Sequence, residues 1–287
     1  MSLQKMRLAD TPATYPQDVE QVEIALLLEA IYRHYGFDFR SYAYASIKRR
    51  IWKRILAEGL ATVSALQERV LHDPEVMDHL LLDLSVTVSS MFRDPPFFQA
   101  LREEVIPLLR TYPFLRIWHA GCATGEEVYS MAIVLQEEGL YDRCRIYATD
   151  INEVVLQRAR AGIFPLDKMQ EYTQNYQQAG GARSFSEYYT AGYDGALFNP
   201  ELTRNVTWAQ HNLVTDGSFA ECNVIVCRNV MIYFSRELQE RVHGLFYRSL
   251  PHLGVLALGR KESLRLSEWE QKYEAVNPRE KIFRRVA

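Results

Sequence analysis

Two carboxylates and two glycines stand together in R-I-W-H-A-G-C-A-T-G-E-E-V-Y-S, residues 116–130. Gly121 and Gly125 bracket a tight turn between a short apolar run (Ile117, Trp118, Ala120) and a helix that begins at Glu126. Strand, glycine turn and helix N-terminus form an arrangement that lets backbone come close to a nucleotide-like ligand. The spacing is G-x-x-x-G, not the G-x-G-x-x-G of dinucleotide sites. Glu126 and Glu127 would serve a pyrophosphate poorly, whereas a cationic ligand would welcome a carboxylate. The ligand chemistry indicated is that of S-adenosylmethionine, with its sulfonium and ammonium charges. Gly121 and one of the two acids are the candidate contacts.

Asp150 ends a second strand, R-I-Y-A-T-D. An acid at that position in a nucleoside-binding fold accepts ribose hydroxyls, each bond to a charged acceptor being worth about 1.5–3 kcal/mol. The other use for Asp150 is to cap the helix that follows. Ser89 and Arg93 sit on a turn before Asp94-Pro95, a pair that reads as N-cap acid and first-turn proline. From there Arg93 either reaches over the ligand or pairs with a surface acid. Arg228 and Asn229 follow the core strand Ala220–Cys227, at the carboxyl edge of a sheet where open α/β folds bind ligands.

The elements that position these residues follow from periodicity. After a leader over residues 1–16, apolar spacing predicts helices over Asp18–His34, Tyr44–Gly59, Val63–His72 and Pro74–Leu84, a helical domain over 17–85. In the second of them Lys48, Arg49, Arg50, Lys53 and Arg54 crowd one face, either as a solvated surface or as a docking surface for an acidic protein. A second domain, 86–287, opens with a helix over Pro95–Arg110 and alternates strands and helices, with strands at 205–210, 254–258 and 282–286. That alternation predicts a doubly wound, mostly parallel α/β sheet. Residues of about 170–206 interrupt it: a polar, glutamine-rich stretch, then aromatic residues and glycines that read as a small antiparallel β insert.

Composition narrows the classes. Net charge of −3 and a pI near 6.2 give no global case for nucleic acid. The four cysteines form no C-x-x-C pair, so neither a zinc site nor a disulfide framework is expected. They read as buried reduced thiols of a cytoplasmic protein. No apolar run is long enough to span a bilayer and no signal peptide opens the chain.

The chain resembles the CheR-type S-adenosylmethionine-dependent methyltransferases, which methylate glutamate side chains of bacterial chemoreceptors. The matching blocks are S-S-M-F-R-D-P-P-F-F (89–98), the glycine segment (116–130), A-T-D-I-N (148–152), N-L (212–213) and C-R-N-V-M-I-Y-F (227–234). The resemblance implies a helical N-terminal domain, a class I methyltransferase domain and an inserted β subdomain. It implies cofactor contacts at Thr87, Ser89, Arg93, Glu127, Asp150, Asn212, Leu213, Arg228 and Asn229. Thr87 stands where many members have asparagine, and the family's G-H-S-E reads G-R-K-E-S at Gly259–Ser263.

The implied reaction moves a methyl group from sulfonium sulfur to a carboxylate oxygen. A glutamate is already ionised at pH 7, so no general base is required. Arg93 and Tyr233 are the candidate catalytic residues, holding the substrate carboxylate. Arg49, Arg50 and Arg54 are the candidate docking residues for the acidic helical region of a chemoreceptor. The segment Tyr189–Gly195 is shorter than the loop with which some members hold a receptor's terminal pentapeptide, which predicts docking without that tether. The competing readings are a nucleic-acid methyltransferase, disfavoured by the absence of Asn/Asp-Pro-Pro-Tyr, and a cofactor-binding docking module that transfers no methyl.

Overall fold

The computed structural model describes residues 16–85 and 89–287. Thr87 lies outside the described residues. The chain divides after Ser85 into two compact units.

Among the described residues the first unit contains four helices: α1 (Gln17–Tyr35), α2 (Tyr44–Ala57), α3 (Val63–His72) and α4 (Pro74–Leu84). Gly36 closes α1 at φ 79°, a left-handed cap that glycine adopts without a Cβ penalty. Thr62 and Asp73 cap α3 and α4 through side-chain acceptors, and Pro74 opens α4. Ile47, Ile51 and Ile55 of α2 are fully buried, as their spacing requires.

The basic face of α2 differs from the sequence expectation. Arg50 and Arg54, expected to point outward with Arg49, are instead turned onto α4. Arg50 donates to the carbonyls of Asp83, Leu84 and Ser85, which include acceptors that a helix C-terminus leaves unpaired. Arg54 pairs with Asp83 and Glu58, and Lys53 also pairs with Asp83. Lys48 pairs with buried Glu20. Of the three docking candidates, Arg49 stays exposed.

In the second unit the leading helix is broken into α5 (Pro95–Ala100), a π turn (Leu101–Val105) and α6 (Ile106–Leu109). Pro107 has no N–H to continue the α-helical ladder, which accounts for the interruption. There follow β1 (Leu115–Ala120), α7 (Glu126–Glu137), β2 (Cys144–Asp150), α8 (Glu153–Ala161), β3 (Ile163–Phe164), α9 (Met169–Gln178), β4 (Tyr189–Gly192) and β5 (Gly195–Phe198). The chain continues through β6 (Val206–Gln210), β7 (Val224–Cys227), α10 (Arg236–Ser249), β8 (Val255–Leu258), β9 (Tyr273–Asn277) and β10 (Ile282–Arg285).

The large sheet has the order β6-β2-β1-β7-β8-β10-β9. Its first five members run parallel, and β10 is antiparallel to both its neighbours. This is the class I methyltransferase fold. The chain leaves β1 toward β2 and β6, then returns to place β7 on the other side, so a switch point lies between β1 and β7. Ligands of open α/β sheets bind at such a point, beyond the carboxyl ends of the strands. Trp118 of β1, the largest fully buried side chain, donates from its indole to Thr149 of β2 and locks the two strands together.

The small sheet, β3-β5-β4, is antiparallel and takes in Ile163 and Phe164, upstream of the expected insert. Its glutamine-rich neighbour is a helix, α9. Met169, Tyr172 and Tyr176 form its buried stripe, and polar residues dominate the rest. Strand β7 is shorter than the apolar run Ala220–Cys227 suggested, because Cys222 N–H bonds the end of α10 at Ser249 instead of a strand. Strand β9, with one buried residue in five, gave no sequence signal.

Candidate active site

The turn after β1 is fixed by what surrounds it. Gly121 lies at φ 80°, and a Cβ there would stand 2.6 Å from a methyl of Val230. Gly125, at φ 92°, has Ala159 where its Cβ would go, at 2.9 Å. Both glycines are therefore required by close approach as well as by backbone conformation. The N–H groups of Gly121 and Cys122 both donate to the carbonyl of Thr149. Ala123, the next residue, adopts φ 47°, unusual for a residue with a side chain, and its N–H is held by Asp150 Oδ2 at 2.9 Å.

Asp150 is buried, and burial pushes its carboxyl upward despite bonds from three backbone N–H groups. Its Oδ1 accepts from Asn152 N–H, while the cap of α8 is the Asn152 side chain, bonded to Val154 N–H. Asp150 thus braces the glycine turn from β2, a role distinct from both uses read in the sequence. A carboxylate offers about four lone-pair positions, so its acceptor capacity is not exhausted.

Arg228, at the end of β7, is the centre of the charged layer. Its guanidinium donates to Glu127 Oε2 at 2.7 Å and to Asp94 Oδ2 at 2.7 Å. It also donates to the carbonyl oxygen of Arg93 at 3.3 Å and lies 4.1 Å over the Phe97 ring. The side chain is only 1% exposed. His119 Nδ1 stands 3.3 Å from the other oxygen of Glu127. Burial alone would raise the Glu127 pKa, but the Arg228 charge and the His119 hydrogen bond outweigh it and hold it at about 2.

Asp94 is the N-cap residue of α5 with Pro95 after it, as expected, but its side chain does not cap. It sits at φ 58°, its carboxylate committed to Arg228. Phe92, at φ 50°, is strained too, and its N–H is held by Ser130. With Ala123 and Asn229 (φ 62°), four non-glycine residues in left-handed conformations surround this layer. Strain of this kind persists where surrounding contacts over-determine it.

Glu126 is more than a helix start. It is buried and raised in pKa by that burial, with hydroxyls of Thr124, Ser89 and Tyr172 bonding to it. Asn212 accepts from Val214 N–H with its amide oxygen and donates from its own backbone N–H to the Asp216 carboxylate, closing the bend after β6. Leu213 beside it is half-buried. Asn229 follows Arg228 and points its backbone N–H at Glu262. Arg93 and Tyr233 are both half-buried. The structure thus brings together Ser89, Arg93, Gly121, Glu127, Asp150, Arg228 and Asn229, directly or through one shared neighbour.

Two residues of this layer escaped the sequence reading. Glu262 accepts backbone N–H groups from Asn229, Val230, Met231 and Gly259, at 2.6–3.0 Å, and so pins the segment leading to Tyr233. The retained Glu of G-R-K-E-S was the available signal. His119 is a polar residue inside an apolar strand run, which was the signal for it. A glycine turn that backbone can approach, flanked by acids with acceptor capacity left, fits a cationic nucleoside such as S-adenosylmethionine.

Known proteins match this chain along most of its length. The family described as CheR methyltransferase, SAM binding domain, matches residues 87–280, and the CheR methyltransferase all-alpha domain matches residues 23–85. The protein Cher3 of Pseudomonas putida is 54% identical over 264 residues, covering 92% of this chain and 97% of that one. A chemotaxis protein methyltransferase of Listeria monocytogenes is 29% identical, covering 81% of this chain and 86% of its own. Chemotaxis protein methyltransferase 2 of Pseudomonas aeruginosa is also 29% identical, over 86% of each chain.

Proposed function

The chain belongs to the CheR methyltransferase family, and from that premise we propose that it converts glutamate side chains of bacterial chemoreceptors to methyl esters. S-adenosylmethionine supplies the methyl group: the carboxylate oxygen bonds to the methyl carbon as the carbon–sulfur bond breaks, its electron pair stays on sulfur, and no proton moves. What remains for this chain is alignment and exclusion of water, and orientation alone supplies up to about 7–11 kcal/mol in favourable systems.

The observation that carries this reading is the reach of Arg228. One guanidinium holds Glu127 from the glycine-turn side, and Asp94 and the Arg93 carbonyl from the other. It thereby ties the glycine turn to Asp94 and to the backbone of Arg93, which supports a donor site beside Arg93. Arg93 gives a charged and Tyr233 a neutral hydrogen bond to the substrate carboxylate. Too tight an arginine pair would stabilise the ground state, so their task is positioning. Glu127, Asp150, Asn212, Leu213, Ser89, Arg228, Asn229 and, outside the described residues, Thr87 serve the cofactor.

The substrate surface is the acidic helical region of the receptor, with Arg49, exposed on α2, available to meet it. Docking proceeds without a pentapeptide tether. The hairpin β4–β5 turns through Tyr193 and Asp194 alone, which supports this reading by leaving no loop to clasp a peptide.

Tritiated cofactor with receptor fragments bearing Glu or, as control, Gln at the methylation sites tests the reaction. Base-labile label on the Glu form alone is expected. Label on neither form, with cofactor still bound, would identify a docking module instead. Arg93→Ala should lower turnover severely while Asp150→Ala chiefly weakens cofactor binding, and near-normal transfer by Arg93→Ala would remove the role given to it.

A further inference from the structure

A cavity of about 310 Å³ opens beside the segment that ends at Tyr233, lined by Ile232, Arg236, His243, Lys261, Arg265 and Leu266 among others. Three of these are cations. Arg236 donates to the carbonyl of Leu266, and among the described residues no acid pairs with Arg236, Lys261 or Arg265. The acids in the lining are already engaged: Glu262 by four backbone N–H groups, and Glu240 by the N–H of Glu268. Unlike the basic face of α2, Lys261 and Arg265 form no ion pair among the described residues, while Arg236 has the Leu266 carbonyl and the nearby charge of Glu237.

The cavity shares its wall with the reaction loop. Ile232 and Arg236 flank Tyr233 in the chain, and Lys261 and Ser263 flank Glu262, which pins Asn229–Met231. His243, also in the lining, is 2% exposed and its Nδ1 is buried, so the imidazole offers nothing to an incoming ligand. What selects the occupant is place: the cations stand beside the segment that leads to Tyr233, where a protein substrate must lie to present its glutamate, and a second acidic side chain of that substrate would meet them.

We propose that this cavity is a docking subsite for an acidic side chain of the protein substrate, distinct from the glutamate that is methylated, so that the catalytic unit carries its own substrate contact. The inference rests on the receptor-methylating reading above. Opposite charges across such a contact set encounter rate and register more than they set the chemistry.

The test uses the full chain and a soluble cytoplasmic receptor fragment that the unaltered protein methylates. Lys261→Glu with Arg265→Glu alters two exposed side chains that have no structural partner. KM for the fragment should rise about tenfold, with kcat and the dissociation constant of S-adenosylhomocysteine within twofold of the parent. Replacing acidic residues of the fragment by lysine, one at a time outside the methylated position, should restore part of the loss in the charge-reversed protein. A KM unchanged within twofold would overturn the subsite. Saturable binding of inorganic phosphate that the double variant loses, with KM unchanged, would assign the cavity to a small anion instead. Absence of methyl transfer by the unaltered protein would overturn the receptor-methylating reading, and the subsite with it.

Discussion

The basic face of α2 and the charged layer around Arg228 both place arginines against carboxylates, and they differ in what the pairing holds. In α2, Arg54 and Lys53 close onto Asp83 of the same small unit, and the pairs stiffen two neighbouring helices. Around Arg228, one fully buried guanidinium ties segments more than a hundred residues apart in the chain. Surface pairs gain little because water competes with them, whereas a buried charge left alone is strongly destabilising. Clustered charge in a sequence is therefore a poor guide to available charge. Its partners decide, and they are absent from the local string.

That contrast can be broken most decisively at its buried end. Arg228→Ala leaves Glu127 and Asp94 without their cation and should cost about 3–5 kcal/mol in urea unfolding, together with cofactor binding. A loss below about 1 kcal/mol would show that the layer is solvated and that the contrast is false.

Next in size is Glu127→Gln, which should cost about 3 kcal/mol at neutral pH, since the native carboxyl sits at about 2 against 4.5 for the free group. The native pKa is depressed, so the contribution is complete above about pH 4.5 and is lost as pH falls toward 2. The gap between variant and parent should narrow through that window. A gap independent of pH would assign the loss to packing. Asp150, Glu126 and Glu262, raised by burial, act in the opposite sense but are common to both proteins.

The smallest effects belong to α2. Arg54→Ala, at a pair whose side chains are 14% and 6% exposed, should cost about 2 kcal/mol. Lys53→Ala, 72% exposed against the same acid, should cost less than about 1 kcal/mol. Equal losses in thermal unfolding would erase the distinction drawn from exposure.

The sequence was readable wherever structure is periodic and local. Helices α1 to α4, strands β1 and β2, and the glycine turn follow from apolar spacing, caps and backbone demands within a few residues. The short edge strand β9 and the helix α9 did not, because half-exposed β9 carries no alternation and the buried tyrosines of α9 are spaced among glutamines. Site residues were legible as motif positions, yet their partners were not. Asp94 reads as a cap until Arg228 is folded against it, and nothing near Arg50 announces the carbonyls of α4. The clamp at Glu262 joins residues about thirty apart by main-chain N–H groups, which have no residue signature at all.

Glu262 reads peptide groups, not side chains, and this sets which substitutions the loop tolerates. Asn229, Val230 and Met231 are held through N–H groups that every amino acid except proline possesses. The loop can therefore exchange Met231 for residues of similar size without surrendering its path, while a proline at any of the three positions would release it. Val230 is less free, since its methyls fill the space that Gly121 leaves open. The path of the segment next to Tyr233 is thus set by main-chain groups and one buried carboxylate.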